Sequence, residues 1–222
     1  MITIQNLTKI FHSKKSEVLA LNKVSLHINK GEFMLIKGPS GCGKSTLLFT
    51  LGGMLKPSMG SVSVENQDLY KLSESDLQLY RARKIGFVYQ SYHLIPYLTI
   101  LENILLVNQT GKTVTSREEV IALAKQFNLE DRLNHKPSEL SVGEKQRAAL
   151  MRALIVKPQI LIADEPTGNL DPENSQIIMK HFKAFQQQGG TVIMASHGNE
   201  ADKLATISIY MKEGEIINKP IE

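Results

Sequence analysis

Residues Gly38-Pro39-Ser40-Gly41-Cys42-Gly43-Lys44-Ser45 fit the pattern G-x-x-x-x-G-K-[ST] at every fixed position. That spacing serves phosphate chemistry. Glycines let backbone N–H groups turn inward around phosphate oxygens, and the positive end of a following helix adds to the attraction. Lys44 can reach the β- and γ-phosphates of a nucleotide, and the Ser45 hydroxyl can ligate Mg2+. Gly38, Ser40, Gly41, Cys42, Gly43 and Thr46 complete the candidate nucleotide contacts. Cys42 is read as a small residue that fits its loop. The second half of such a site is acidic. Asp164 closes the apolar run Ile160-Leu161-Ile162-Ala163, where a carboxylate can hold Mg2+ through water. Glu165 follows and could act as general base on an attacking water. Neighbouring side chains on a strand face opposite ways, but that alternation relaxes at a strand's end. Both carboxylates can then approach one ligand.

These groups need elements to position them. Phe33-Met34-Leu35-Ile36 is a short apolar run that stops at Gly38, which suits a strand buried on both faces. A helix is expected from Lys44, with no breaker before Gly52-Gly53. Val24, Leu26 and Ile28 alternate with polar residues, so Ile2 to Ile36 reads as short strands with one apolar face. Val62 and Val64, flanked by turn residues, suggest a hairpin. Ile85 to Tyr89, Ile160 to Ala163 and Thr191 to Ala195 read as further strands. Ile207 to Ile216 reads as a closing hairpin around Glu213-Gly214. Thr99-x-x-Glu102 and Ser116-x-x-Glu119 are capping boxes that predict helices near 99–107 and 117–127. Leu140 to Ile155 contains a third helix, with Ala149, Leu150, Ala153 and Leu154 on one face. Strands alternating with helices imply an α/β fold with a mostly parallel sheet. The stretch 91–158 is expected to be a helical insert within one domain spanning 1–222.

Composition limits the partners. The chain has 222 residues, 26 basic and 22 acidic, for a formal net charge of +4. Lys9, Lys14, Lys15, Lys23 and Lys30 make the N-terminal segment basic, without the dense patch that nucleic acid or an anionic membrane surface would need. Apolar runs fall short of the ~18 residues of a membrane-spanning helix. No secretory leader pattern is read at the start, and one cysteine excludes an internal disulfide. A reducing, cytosolic setting is the expectation.

Further along, Leu140-Ser141-Val142-Gly143-Glu144-Lys145-Gln146 resembles the signature motif of the ATP-binding cassette (ABC) ATPases. Gln90 after Gly86-Phe87-Val88-Tyr89 looks like that family's Q-loop. Asn169-Leu170-Asp171 looks like its D-loop, and His197 like its switch histidine. Phe11 sits where the family places an aromatic residue against adenine. The resemblance covers essentially the whole chain. It implies a P-loop NTPase core with an antiparallel β subdomain and a helical insert. It also implies ATP and Mg2+ as cofactors and a head-to-tail dimer with two nucleotides between the chains. Ser141, Gly143, Glu144 and Asp171 would then serve nucleotide held by the opposite chain. Gln90 would sense metal and water, and His197 would contact the γ-phosphate. The implied partners are an integral-membrane permease and a second ATPase chain, at the cytoplasmic face of the membrane.

Two positions depart from the family pattern. Val142 replaces the first signature glycine, where a β-branched residue cannot take positive φ cheaply. Gly198 follows His197, where aspartate is common. Within the family, Leu51-Gly52-Gly53, the run Gly86 to Pro96, Leu101-Glu102-Asn103 and Thr167 to Asp171 are similar to the lipoprotein-releasing and macrolide-exporter ATPases. The heme-efflux, antimicrobial-peptide-resistance and cell-division ATPases share these words. Tyr92, His93, Leu94, Tyr97 and Leu98 serve equally well as insert core or as a groove for a permease helix. Two alternatives stay open: an ATP-gated regulatory or signalling subunit with low turnover, and the ATPase of a solute importer. A nucleic-acid ATPase is disfavoured, for want of a coiled-coil insertion or a second cassette.

Overall fold

The computed structural model describes residues 1–12, 16–110 and 114–217, so Lys14 and Lys15 of the basic stretch lie outside it. Alternating apolar positions make β1 (Ile2–His12) and β2 (Glu17–Ile28) an antiparallel pair, with Ile4 opposite Leu26 and Leu7 opposite Val24. β3 (Phe33–Lys37) is buried on both faces and leads through the glycine loop into α1 (Lys44–Leu51), which ends at Gly52 as expected. β4 (Met59–Val64) and β5 (Gln67–Asp68) form the expected hairpin. Its turn residues, Glu65 and Asn66, both have positive φ, the geometry that matches strand twist in a two-residue turn.

α2 (Glu74–Lys84) has no counterpart in the sequence reading. It buries only Tyr80, so it carries no apolar stripe for a periodicity argument to find. Its signal is the cap, where the Ser73 side chain accepts from the Asp76 amide. β6 (Ile85–Val88) follows directly. Next come α3 (Ile100–Leu105) and α4 (Arg117–Gln126), both opened by the capping boxes read from sequence. α5 (Val142–Leu154) opens with a further box, Ser141 with Glu144. The remaining elements are β7 (Ile160–Asp164), α6 (Pro172–Gln187), β8 (Thr191–Ala195), α7 (Asn199–Asp202), β9 (Ile207–Lys212) and β10 (Glu215–Ile217).

Two sheets result. The antiparallel one has the order β2-β1-β4-β5. The other has the order β10-β9-β3-β8-β7-β6, parallel throughout except for the β9–β10 hairpin. Its central strands feed two cores by simple alternation. Phe33, Leu35, Leu161, Ala163, Val192 and Met194 face a core shared with α3 to α6. Met34, Ile36, Ile160, Ile162, Ile193 and Ala195 face a core shared with α1 and the antiparallel sheet. Four parallel strands, β3, β6, β7 and β8, end on one edge, where Ala195 is in register with both Ile36 and Asp164. Ligands of open parallel sheets bind at that carboxyl edge.

Candidate active site

A cleft of about 560 Å³ opens at that edge. Its phosphate-loop wall is Ser40, Gly41, Gly43, Lys44, Ser45 and Thr46, and its acidic wall is Asp164 and Glu165. Gln90, Gly168 and His197 complete that end. Sequence motifs over a hundred residues apart are brought together because their strands are neighbours in the sheet.

The loop glycines have a steric purpose. Gly38 and Gly43 have φ of 141° and 106°. A Cβ on Gly38 would lie 2.1 Å from the Met211 carbonyl oxygen, and one on Gly43 would lie 2.3 Å from that of Ala20. Any side chain there would displace the loop. Lys44 is nearly buried, and its Nζ donates to the carbonyls of Gly38 (2.7 Å) and Pro39 (3.1 Å). Cys42 points its buried side chain into the core beneath the loop, so only its backbone faces ligand chemistry.

Glu165 has φ 47°, a left-handed conformation unusual for a side chain of this kind. Its amide still donates to the Ala195 carbonyl (2.9 Å), extending the ladder, while the backbone turn ends strand alternation. Asp164 and Glu165 therefore line the same cleft. Glu165 Oε2 accepts from the His197 amide at 3.3 Å. Glu165 Oε1 lies 3.3 Å from His197 Nε2 but without hydrogen-bond geometry, and it is buried. Nε2 is also 3.2 Å from Lys44 Nζ. One ring nitrogen serves one of these neighbours at a time. With its lone pair at Nε2 the ring accepts from Lys44, and Glu165 keeps an oxygen available to take a proton.

Other expected contacts stand elsewhere. Phe11 does not line the cleft itself but pairs across β1 and β2 with Val18, which does, and Lys9 Nζ lies 5.2 Å from its ring centroid. The apolar end of the cleft is instead Val18, Leu19 and Ala20, facing the Glu213-Gly214 turn. That turn was legible only as a turn. Its role is to pin the loop: the Gly214 amide donates to the Cys42 carbonyl (3.0 Å) and its carbonyl accepts from the Asn22 amide (2.8 Å).

Ser141, Gly143, Glu144 and Asp171 are not part of this chain's cleft lining. The Ser141 hydroxyl caps α5 by accepting from the Glu144 amide, which leaves its proton free to donate. Its own amide donates to Glu144 Oε2 at 2.7 Å, while Arg132 Nε donates to Oε1 at 2.8 Å. The Arg132 guanidinium and the Ser141 amide pull the Glu144 carboxyl down to a pKa of about 2. Asp171 caps α6 and accepts from both the amide and the side chain of Asn174. These bonds hold its pKa below the usual carboxylate value. Val142 is the first residue of α5 and has no positive φ, so the missing signature glycine strains nothing. Gly198 has φ −82°, a conformation open to any residue. Neither Asn174 nor Arg152 was singled out from sequence, since neither belongs to a motif.

The ABC transporter family model matches residues 21–168, two thirds of the chain, and spans the loop, Gln90, the signature segment and the acidic pair. This chain belongs to the ABC transporter ATPases. As such it is an ATP-binding, ATP-hydrolysing transport subunit. An uncharacterised ABC transporter ATP-binding protein of Methanocaldococcus jannaschii is 39% identical over 220 residues, 98% of each chain. The lipoprotein-releasing system ATP-binding protein LolD of Buchnera aphidicola is 41% identical, over 96% of this ABC ATPase and 94% of its own length. The macrolide export ATP-binding/permease protein MacB of Chlorobium phaeobacteroides is 40% identical over 98% of this chain, which spans 33% of that longer protein. Among solved structures, a dimeric ATP-binding cassette in a post-hydrolysis state with ADP and Pi superposes with a TM-score of 0.92. It is 37% identical and covers 99% of this ABC ATPase and 98% of its own chain.

Proposed function

We propose that this ABC ATPase powers a permease of the lipoprotein-release or efflux type from the cytoplasmic face of a membrane, working as a dimer of identical chains. The observation that carries the hydrolytic part is the junction of Lys44, His197 and Glu165 in one cleft. The loop amides and Lys44 bind the ATP phosphates, and Lys44 exchanges its loop carbonyls for phosphate oxygens. Ser141 of a second copy donates its hydroxyl to the γ-phosphate, beside the free amides at the start of α5. Glu165 takes the proton of the attacking water at its free oxygen, while Gln90 and His197 hold that water in line.

The residues present suit Mg2+. The Ser45 hydroxyl, Asp164 and Gln90 are oxygen ligands on one cleft, and no cluster of three His, Cys, Asp or Glu competes among the described residues. Mg2+ takes one or two protein oxygens and keeps its other positions for phosphate and water. When bound, it would neutralise charge developing between the β- and γ-phosphates.

Among the described residues no helix is long and apolar enough to cross a membrane, which fits a peripheral subunit. The MacB relative, by its name, joins ATP-binding and permease in a single protein, which favours a permease partner here too. We read the segment 91–158 as the lobe that meets it. Leu94 packs toward the core, whereas Tyr97 is 72% exposed, so Tyr97 and its neighbours supply the contact. Affinity capture from native membranes, followed by mass spectrometry, tests this reading. A permease with few spans and a large extracytoplasmic domain is the expected catch. A six-span permease with a solute-binding protein would replace it with the importer reading.

A further inference from the structure

The turn after Gln90 is held by a side chain that no motif names. Tyr92 and His93 are consecutive residues with φ of 58° and 48°. Two adjacent left-handed residues without glycine persist only where surrounding contacts over-determine them. One contact is the His93 ring, stacked edge-on against Tyr89 at 4.5 Å. Backbone bonds add to it, from the Tyr92 amide to the Tyr89 carbonyl and from the His93 amide to the Ser91 carbonyl. A further contact is Arg152, in the last turn of α5. Its Nη1 donates to the His93 carbonyl at 2.7 Å and its Nη2 to the Tyr92 carbonyl at 2.9 Å. The guanidinium fork thus spans both strained peptides, a geometry that a lysine point charge cannot reproduce. Burial pushes the Arg152 pKa down, so the cation sits here against its own solvation preference.

α5 is capped by Ser141 and ends just past Arg152, a rod of 13 residues and about 20 Å. We propose that Arg152 is a positioning residue for Gln90: its fork fastens the turn behind Gln90 to the far end of the signature helix. A displacement of that turn and the approach of Ser141 to a second chain's nucleotide then become one rigid movement. The proposal rests on the reading that Gln90 acts at the phosphate end of the cleft.

The test uses the purified full chain with Arg152→Lys, Arg152→Met, Gln90→Ala, and Gln90→Ala combined with Arg152→Lys. ATP turnover, KM, thermal unfolding and amide hydrogen exchange across 89–98 are measured. Arg152→Met guards against a lysine variant that fails to fold. Exchange at the turn should speed up in both Arg152 variants. Their kcat should fall about tenfold with KM nearly unchanged, the signature of a misplaced group rather than lost binding. The double variant should be no slower than Gln90→Ala alone. Unchanged exchange at the turn overturns the proposal, as does a loss of kcat that multiplies with Gln90→Ala. Wild-type turnover in Arg152→Lys beside a slow Gln90→Ala also overturns it. Wild-type turnover in Gln90→Ala itself removes the reading of Gln90, and the proposal with it.

Discussion

The side-chain oxygen of Asn174 lies 2.2 Å from where a Cβ on Gly143 would stand. A side chain at position 143 would therefore press on α6 of its own chain. Asn174 cannot step aside easily. Its oxygen also accepts from Arg147 Nη1 at 2.8 Å, and its amide group donates to Asp171 at 2.7 Å. Inside a helix, Gly→Ala normally stabilises by up to about 1 kcal/mol. Here overpacking, typically about 1–3 kcal/mol, should win. Gly143→Ala is expected to lower the unfolding midpoint in urea, and adding Asn174→Ala should return part of the loss. A Gly143→Ala protein as stable as the wild type would contradict the contact.

Glu165→Gln keeps the size of the side chain and removes the proton acceptor. Turnover should fall by about 10²–10⁴-fold, the usual worth of a positioned general base. Light scattering with ATP and Mg2+ should then show a dimer that persists, since binding groups are untouched. Turnover near wild type would remove Glu165 from the role of base.

Glu144 gives the signature helix a pH dependence. Its folded-state pKa, about 2, lies below its ordinary value of 4.5, so its contribution is complete above pH 4.5 and is lost as the pH falls towards 2. Arg132→Met removes the first cause of that shift. The variant should be less stable than wild type at pH 7, by a small margin because solvent screens the partly exposed Arg132 side chain. The gap should close between pH 4.5 and 2. Paired urea titrations at pH 7 and pH 3 check it, and a gap that widens in acid would contradict the assignment.

Val142 separates the hydrolytic reading from the low-turnover one. Its backbone is relaxed at the start of α5, and its side chain is 44% exposed. Val142→Gly should cost a few tenths of a kcal/mol of stability, as ordinary helix propensities imply. It should leave ATP turnover within about threefold, since no strained conformation is being relieved. A rise of tenfold or more would make Val142 a brake and favour the ATP-gated regulatory subunit.

What could be read directly were features whose physics is local. Capping boxes at Thr99 and Ser116 pair groups three residues apart. The two-faced burial of β3, β7 and β8 follows from unbroken apolar runs, and the glycine loop from its own steric needs. The sequence by itself thus located the glycine loop, the acidic pair and the α/β class. It was silent on α2, whose burial of one tyrosine leaves no period to detect. Only the tertiary structure decided that Glu165 turns left-handed into the cleft and that Phe11 sits across from Val18 at its apolar end. The same holds for Gly143, which lies against Asn174, and for Arg152, which grips the turn after Gln90. Each of those facts joins residues on different elements, and such contacts exist only once sheet order and helix packing have set the distance between them.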